Sequence, residues 1–183
     1  MATNQTHSSA DRSTPLLEKL GQMAAAAGGG PFVYSVKIVC GNQTETNCGC
    51  CAAGTRPGLY ATEVNIQNFN FQSAQVVKFV QPLILLGTVV AREPNVTQTD
   101  PKMIPPRQIE EIIIPELAAT MDDCCRIAEM LPPPSGEAGL TIAILSIWST
   151  LELSVSAVYT ASPLSGDGIS IDVEYIPSRR FGG

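Results

Sequence analysis

The residues in this chain best suited to chemistry are its six cysteines, and they fall in two places. The stretch CGNQTETNCGCC carries Cys40, Cys48, Cys50 and Cys51, and the pair Cys124-Cys125 stands well downstream. Cys48 and Cys51 make a C-x-x-C, and Gly49 inside it lets the loop turn several thiolates toward one point. A site for zinc or another thiolate-bound metal could draw its ligands from Cys40, Cys48, Cys50 or Cys51, and Cys124 or Cys125. No second C-x-x-C reinforces that pattern. Disulfides are the competing chemistry. Adjacent cysteines do not readily bond each other, because a disulfide prefers a Cα separation of about 5.5 Å or more. Each member of Cys50-Cys51 and Cys124-Cys125 therefore needs a partner elsewhere. The sequence predicts that the loop from Cys48 to Cys51 lies against Cys124-Cys125, joined covalently or through one shared metal. Bridges there would each contribute on the order of 4 kcal/mol in the chain-entropy model. A third reading makes Cys124 and Cys125 small buried apolar side chains. Catalytic redox use is a minor branch, since the C-x-x-C falls between strands and not at a helix N-terminus that would activate a thiolate.

Other chemistry is thinly supplied. His7 is the only histidine and sits in a polar tail, so Ser-His-Asp and Cys-His catalysis and imidazole zinc sites lack their central residue. Neither phosphate-binding glycine motif is present. Glu110-Glu111 are neighbours on an expected strand and point to opposite faces, while Asp122-Asp123 suit the first turn of a helix. Asp167, Asp172 and Glu174 could hold calcium, but Asp172 and Glu174 fall on the polar face of an alternating strand. No catalytic residue is assigned. The chain reads as non-enzymatic, with no cofactor outside the thiolate-metal alternative.

The elements that must position the cysteines read as mainly β. Ser13 or Thr14 caps a helix with Pro15 in its first turn, Leu16, Leu17, Leu20, Met23, Ala24 and Ala27 form its apolar face, and Gly28-Gly29-Gly30 ends it. This is an amphipathic arm on a glycine hinge, packed on its own domain or docked on a neighbouring subunit. From Pro31 the period becomes two. Strands are expected over Phe32–Cys40, Leu59–Phe69, Gln75–Val80, Leu83–Arg92, Arg107–Ile114, Leu140–Trp148, Leu151–Ala161 and Gly168–Ile176, with Ser149-Thr150 turning a hairpin. Short strands with turn signals between them describe a β-sandwich or jelly roll. One helix interrupts them: Thr120 caps it, and Met121, Cys124, Cys125, Ala128 and Leu131 recur on its inward face. The division is an arm over 1–30, a sandwich over 31–178 and a solvated tail over 179–183.

Charged residues make up only 15% of the 183 positions against 44% hydrophobic, which leaves few charges for the surface and favours cover by other subunits. A net charge of −6 and a pI of about 4.7 disfavour nucleic acid and anionic membranes. No apolar run reaches the roughly 18 residues of a membrane span, so a soluble protein is expected. The N-terminal stretch has no secretory signal pattern. Reduced or metal-bound cysteines would place the chain in the cytoplasm, and disulfides would place it outside the cell.

The runs RPGLYATEVNIQNFN (Arg56 to Asn70), ATMDDCC (Ala119 to Cys125), LELSVSAVYTA (Leu151 to Ala161) and ISIDVEYI (Ile169 to Ile176) resemble a group of uncharacterised bacterial β-sandwich proteins. A strand ending near Asn-Phe-Asn, the Arg92-Glu93-Pro94 triplet and a late hydrophobic strand are similar, more distantly, to the sensory-rhodopsin transducer proteins, which are small β-sandwich oligomers. The resemblance implies a sandwich and self-association and hands over no catalytic residue; the six cysteines depart from the transducer pattern. The expected function is a structural or assembly protein, a homo-oligomeric sandwich forming a filament or shell, with Leu16, Leu17, Leu20, Met23 and Trp148 at its interface. A thiolate metal-binding or redox-sensing module is the alternative.

Overall fold

Strand β1 (Phe32–Gln43) holds the two layers of the molecule together. The computed structural model describes residues 14–26, 28–43, 57–82, 84–85, 88–89, 109–130, 140–163 and 168–181. Over Phe32 to Cys40, β1 runs antiparallel to β8 (Thr141–Ser149), and its last three residues instead pair with β2 (Gly58–Gln67). The first layer continues from β8 through β3 (Ala74–Pro82) to β6 (Ile109–Ile114). The second runs from β2 through β9 (Ser154–Pro163) to β10 (Ser170–Ile176), with β7 (Ala119–Asp122) beside the far half of β2. Where β1 parts from β2, the Thr62 hydroxyl fills the gap, bonding both the N–H and the C=O of Val39 at 3.0 Å. Short strands β4 (Ile84–Leu85) and β5 (Thr88–Val89) pair with each other. The mainly-β, sandwich-like fold expected from the alternation is the fold observed.

Alternation explains the core. Tyr34, Val36, Ile38 and Cys40 of β1, Val64 and Ile66 of β2, Val76 and Val80 of β3, Leu145 and Ile147 of β8, and Val155 and Ala157 of β9 all point between the layers and are buried. Helix α1 (Thr14–Ala26) lies on the outer face of the first layer. There Met23 packs against Val77, Phe79 and Trp148, with Leu20, Val33 and Ile109 at the margin.

Several expectations are corrected. Ser149-Thr150 does not turn a hairpin: β8 pairs with β1 and β3, β9 pairs with β2 and β10, so the chain crosses between layers there. The buried Tyr34 phenol holds the crossing, donating to Leu153 C=O at 2.9 Å and accepting from Leu153 N–H at 2.6 Å. The helix does not begin at Thr120. Residues 119–122 pair with β2, and Asp123 caps α2 (Cys124–Glu129), its carboxylate accepting from Arg126 N–H at 2.8 Å. A cap one residue before Cys124 rotates the helix from the expected face, so Ile127 and Met130 are buried while Met121, Cys125 and Ala128 are exposed. The 179–183 tail is not free at its start, because Arg179-Arg180 form β11 against Val33 and Phe32. Phe181 rests on Trp148 with ring centroids 4.8 Å apart.

Candidate functional site

The described chemistry gathers where β3, β6 and β7 meet α2. Lys78 occupies an inward position of β3 between Val76 and Val80, and an ammonium in such surroundings requires partners. Asp122, at the end of β7 in the opposite layer, accepts from Lys78 Nζ through both carboxylate oxygens, at 2.7 and 2.9 Å. Both side chains are 2% exposed. Glu110 of β6 brings its Oε2 to 3.0 Å from the same Nζ, and its Oε1 meets the guanidinium of Arg126, which also reaches Glu129 at 2.8 Å. The cluster thus spans both layers and the helix that closes them.

Glu110 Oε2 is close to Nζ yet receives no hydrogen bond. The two facts are compatible, because ion-pair attraction depends on distance whereas a hydrogen bond also needs direction. The oxygen keeps an unused lone pair in a buried place. Burial pushes the Glu110 carboxyl upward, but its contacts with Lys78 and Arg126 outweigh that and hold it below the ordinary 4.5. At the layer crossing, burial drives the Tyr34 phenol up to about 12 despite its bond to Leu153.

Beside the charge cluster, Cys124 is joined by a disulfide to Cys40, with Cα atoms 5.7 Å apart and a sequence separation of 84. Thr62 N–H donates to Cys124 Sγ at 3.2 Å. Closing a loop of that length contributes on the order of 4 to 5 kcal/mol in the chain-entropy model. The bridge fastens the start of α2 to the end of the inward face of β1. Expectation placed the partner of the Cys124-Cys125 pair in the Cys48–Cys51 loop. The strand residue Cys40 takes that role, because an inward position at the end of β1 already faces the first turn of α2. Cys125 is exposed and makes no bridge to another cysteine among the described residues. Cys48, Cys50 and Cys51 lie outside the described residues, as does Asp167. Among the described residues no group of three or more His, Cys, Asp or Glu side chains is placed to hold a metal ion. Glu174 instead accepts from the Tyr159 hydroxyl at 3.2 Å.

Met23 and Trp148, expected at a subunit interface, are set against each other within one chain, and Leu20 packs at the edge of the same cluster. Burial of β8 on both faces therefore comes from the chain's own helix and second layer. Leu16 and Leu17 belong to α1, but their side chains lie outside the described set. Sequence reasoning missed the charge cluster, although it carried a signal: Lys78 is the one charge in VVKFV and shares the parity of two core valines.

No family model matches the chain, and no curated protein matches it. Among solved structures, the crystal structure of Thermotoga maritima 1070 is similar over 83% of this chain and 96% of that chain, at 7% identity and a TM-score of 0.44. No helix among the described residues is long and apolar enough to cross a membrane.

Proposed function

We propose that this chain is a non-enzymatic assembly protein, a homo-oligomeric sandwich that joins copies of itself through the outer face of its second layer. The carrying observation is an asymmetry between the two outer faces. The first layer is covered by α1. The second has no such helix among the described residues, and Ile169 just before β10 and Ile171, Val173 and Tyr175 along it are each 64 to 67% exposed. By strand register Leu59 of β2 and Met121 of β7 share that face, and both are also largely exposed. β10 is an end strand, pairing with β9 alone among the described strands. A long edge strand bearing an apolar row is a template for pairing with another chain unless something covers it. Closed pairing of two such edges gives a dimer, and an interface that does not close gives a filament or shell. The core disulfide supports a setting in an oxidising compartment.

Light scattering on the purified chain at micromolar concentration tests the reading. An oligomer or fibre is the expected result, and a clean 19.4 kDa species across the concentration range would overturn it.

A further inference from the structure

We propose that Lys78 and Asp122 become joined by an amide bond inside the folded chain, with Glu110 carrying the proton, so that the two layers are covalently stapled through their core.

Three features of the cluster support this reaction. The first is proximity. Nζ touches both oxygens of the Asp122 carboxylate, at 2.7 and 2.9 Å, which puts Cγ within the range where positioned groups react as though at very high concentration. Secondly, the site is dry. Both side chains are 2% exposed, and their strand neighbours Val76 and Val80, with Val64 paired opposite Asp122, belong to the core. Replacing a buried ion pair by a neutral amide removes the cost of holding two charges away from water, and the scarcity of water favours a condensation that expels one. The third is a free base. Glu110 Oε2 is buried, accepts no hydrogen bond and lies 3.0 Å from Nζ, within reach of the proton that must leave the attacking nitrogen. Arg126 steadies the other oxygen of that carboxylate.

The step balances without a co-reactant. One proton passes from the Lys78 ammonium to the Asp122 carboxylate, giving a neutral amine and a neutral acid. Rotation about the Asp122 Cβ–Cγ bond turns the face of the carboxyl toward Nζ. The nitrogen lone pair attacks Cγ, the C–N bond forms, and the carbonyl π pair moves onto oxygen. Glu110 takes a proton from the nitrogen and delivers it to the departing hydroxyl. The C–O bond breaks, water leaves, the carbonyl re-forms and Glu110 is again a carboxylate. The reaction occurs once per chain and does not depend on the assembly reading.

Mass spectrometry of the intact, full-length chain tests this, after reduction and alkylation of its cysteines and prolonged incubation at neutral pH. The expected mass is that of the sequence less one water, and a tryptic digest should contain a branched peptide joining the Lys78 and Asp122 segments with no cleavage after Lys78. Asp122→Ala and Lys78→Met should each show the full mass of their sequences. Asp122→Asn should still cross-link, losing ammonia where the natural chain loses water, and so arrive at the same final mass. That equality would not follow from a salt bridge. Glu110→Gln should remain unlinked; a Glu110→Gln chain that loses water as the natural chain does would overturn the role given to Glu110. A folded natural chain of full sequence mass overturns the bond, as does a water loss confined to one aspartate without a branched peptide.

Discussion

Until the amide forms, a lysine inside an apolar sandwich is stable only with its counter-charges in place, and the stability and pH effects expected of this cluster are those of the unlinked chain. Lys78 meets Asp122 across the layers and Glu110 along the sheet, so truncating a partner leaves a buried charge short of compensation. Asp122→Ala should lower stability by about 3 to 5 kcal/mol, measured as a shift in the denaturant midpoint. Replacing Lys78 and Asp122 together by Met and Leu should recover much of the loss. The same residues set the response to pH. The Glu110 carboxyl is held below 4.5 in the fold, so its contribution is present above its unfolded value and disappears as pH falls through the folded one. Acid unfolding should start below about pH 4.5, and Glu110→Gln should flatten that limb. Tyr34 acts at the opposite end. Its phenol titrates near 10 when unfolded and about 12 when folded, so stability should fall as pH rises from 10 toward 12. Tyr34→Phe should remove that slope while losing the two bonds to Leu153. Circular dichroism of both variants across pH checks the two signs.

Helix α1 shows how one element can be recognised while its neighbour stays open between the chain's own sheet and another subunit. Its apolar face is legible from the spacing of Leu20 and Met23, but spacing says nothing about which surface receives it. Met23 is 1% exposed on the sheet of its own chain, and Met23→Ala should cost about 2 to 5 kcal/mol and shift Trp148 fluorescence toward that of a solvated indole. The glycines after the helix were equally ambiguous in sequence. Gly30 has φ +82, and a Cβ there would collide with the Phe181 carbonyl, so this glycine serves a close backbone approach as well as a change of direction. Strands were readable because alternation is a local property: β1, β2, β3 and β10 all lie close to where the period of two placed them. Pairing was not readable, because Ser149-Thr150 looks alike whether the next strand folds back or crosses to the other layer. The deciding contact, Tyr34 with Leu153, spans 119 residues. For the same reason the cysteines left disulfide and metal both open and set the partner of Cys124 in the wrong segment: Cys40 and Cys124 meet through the divergence of β1 from β2, a feature of the whole sandwich.

At the scale of the molecule, the charge cluster, the disulfide and α2 all close one side of the sandwich, between β6 and β7. β6, the end strand of the first layer among the described strands, turns Glu110 inward and pairs Glu111 with Lys19 of α1, and an inward charge on an edge strand discourages pairing with another chain. The edge at β10 has no such inward charge buried in the core. Its Asp172 and Glu174 are exposed and its other face carries Ile169, Ile171, Val173 and Tyr175. Self-association should therefore use β10 and spare β6. Lysines at Ile171 and Val173 keep the strand's alternation and remove nothing from the core, so the double variant Ile171→Lys, Val173→Lys should fold with the same β-rich circular dichroism and a melting temperature near that of the natural chain. Two copies of the edge would then bring like charges together, and the assembly seen by light scattering should fall to monomer, recovering in part at high salt where those charges are screened. A lysine at Ile113, exposed on the β6 edge, serves as the control and should leave the assembly intact. If the Ile113 variant dissociates while the β10 variant stays assembled, the interface lies on the other layer.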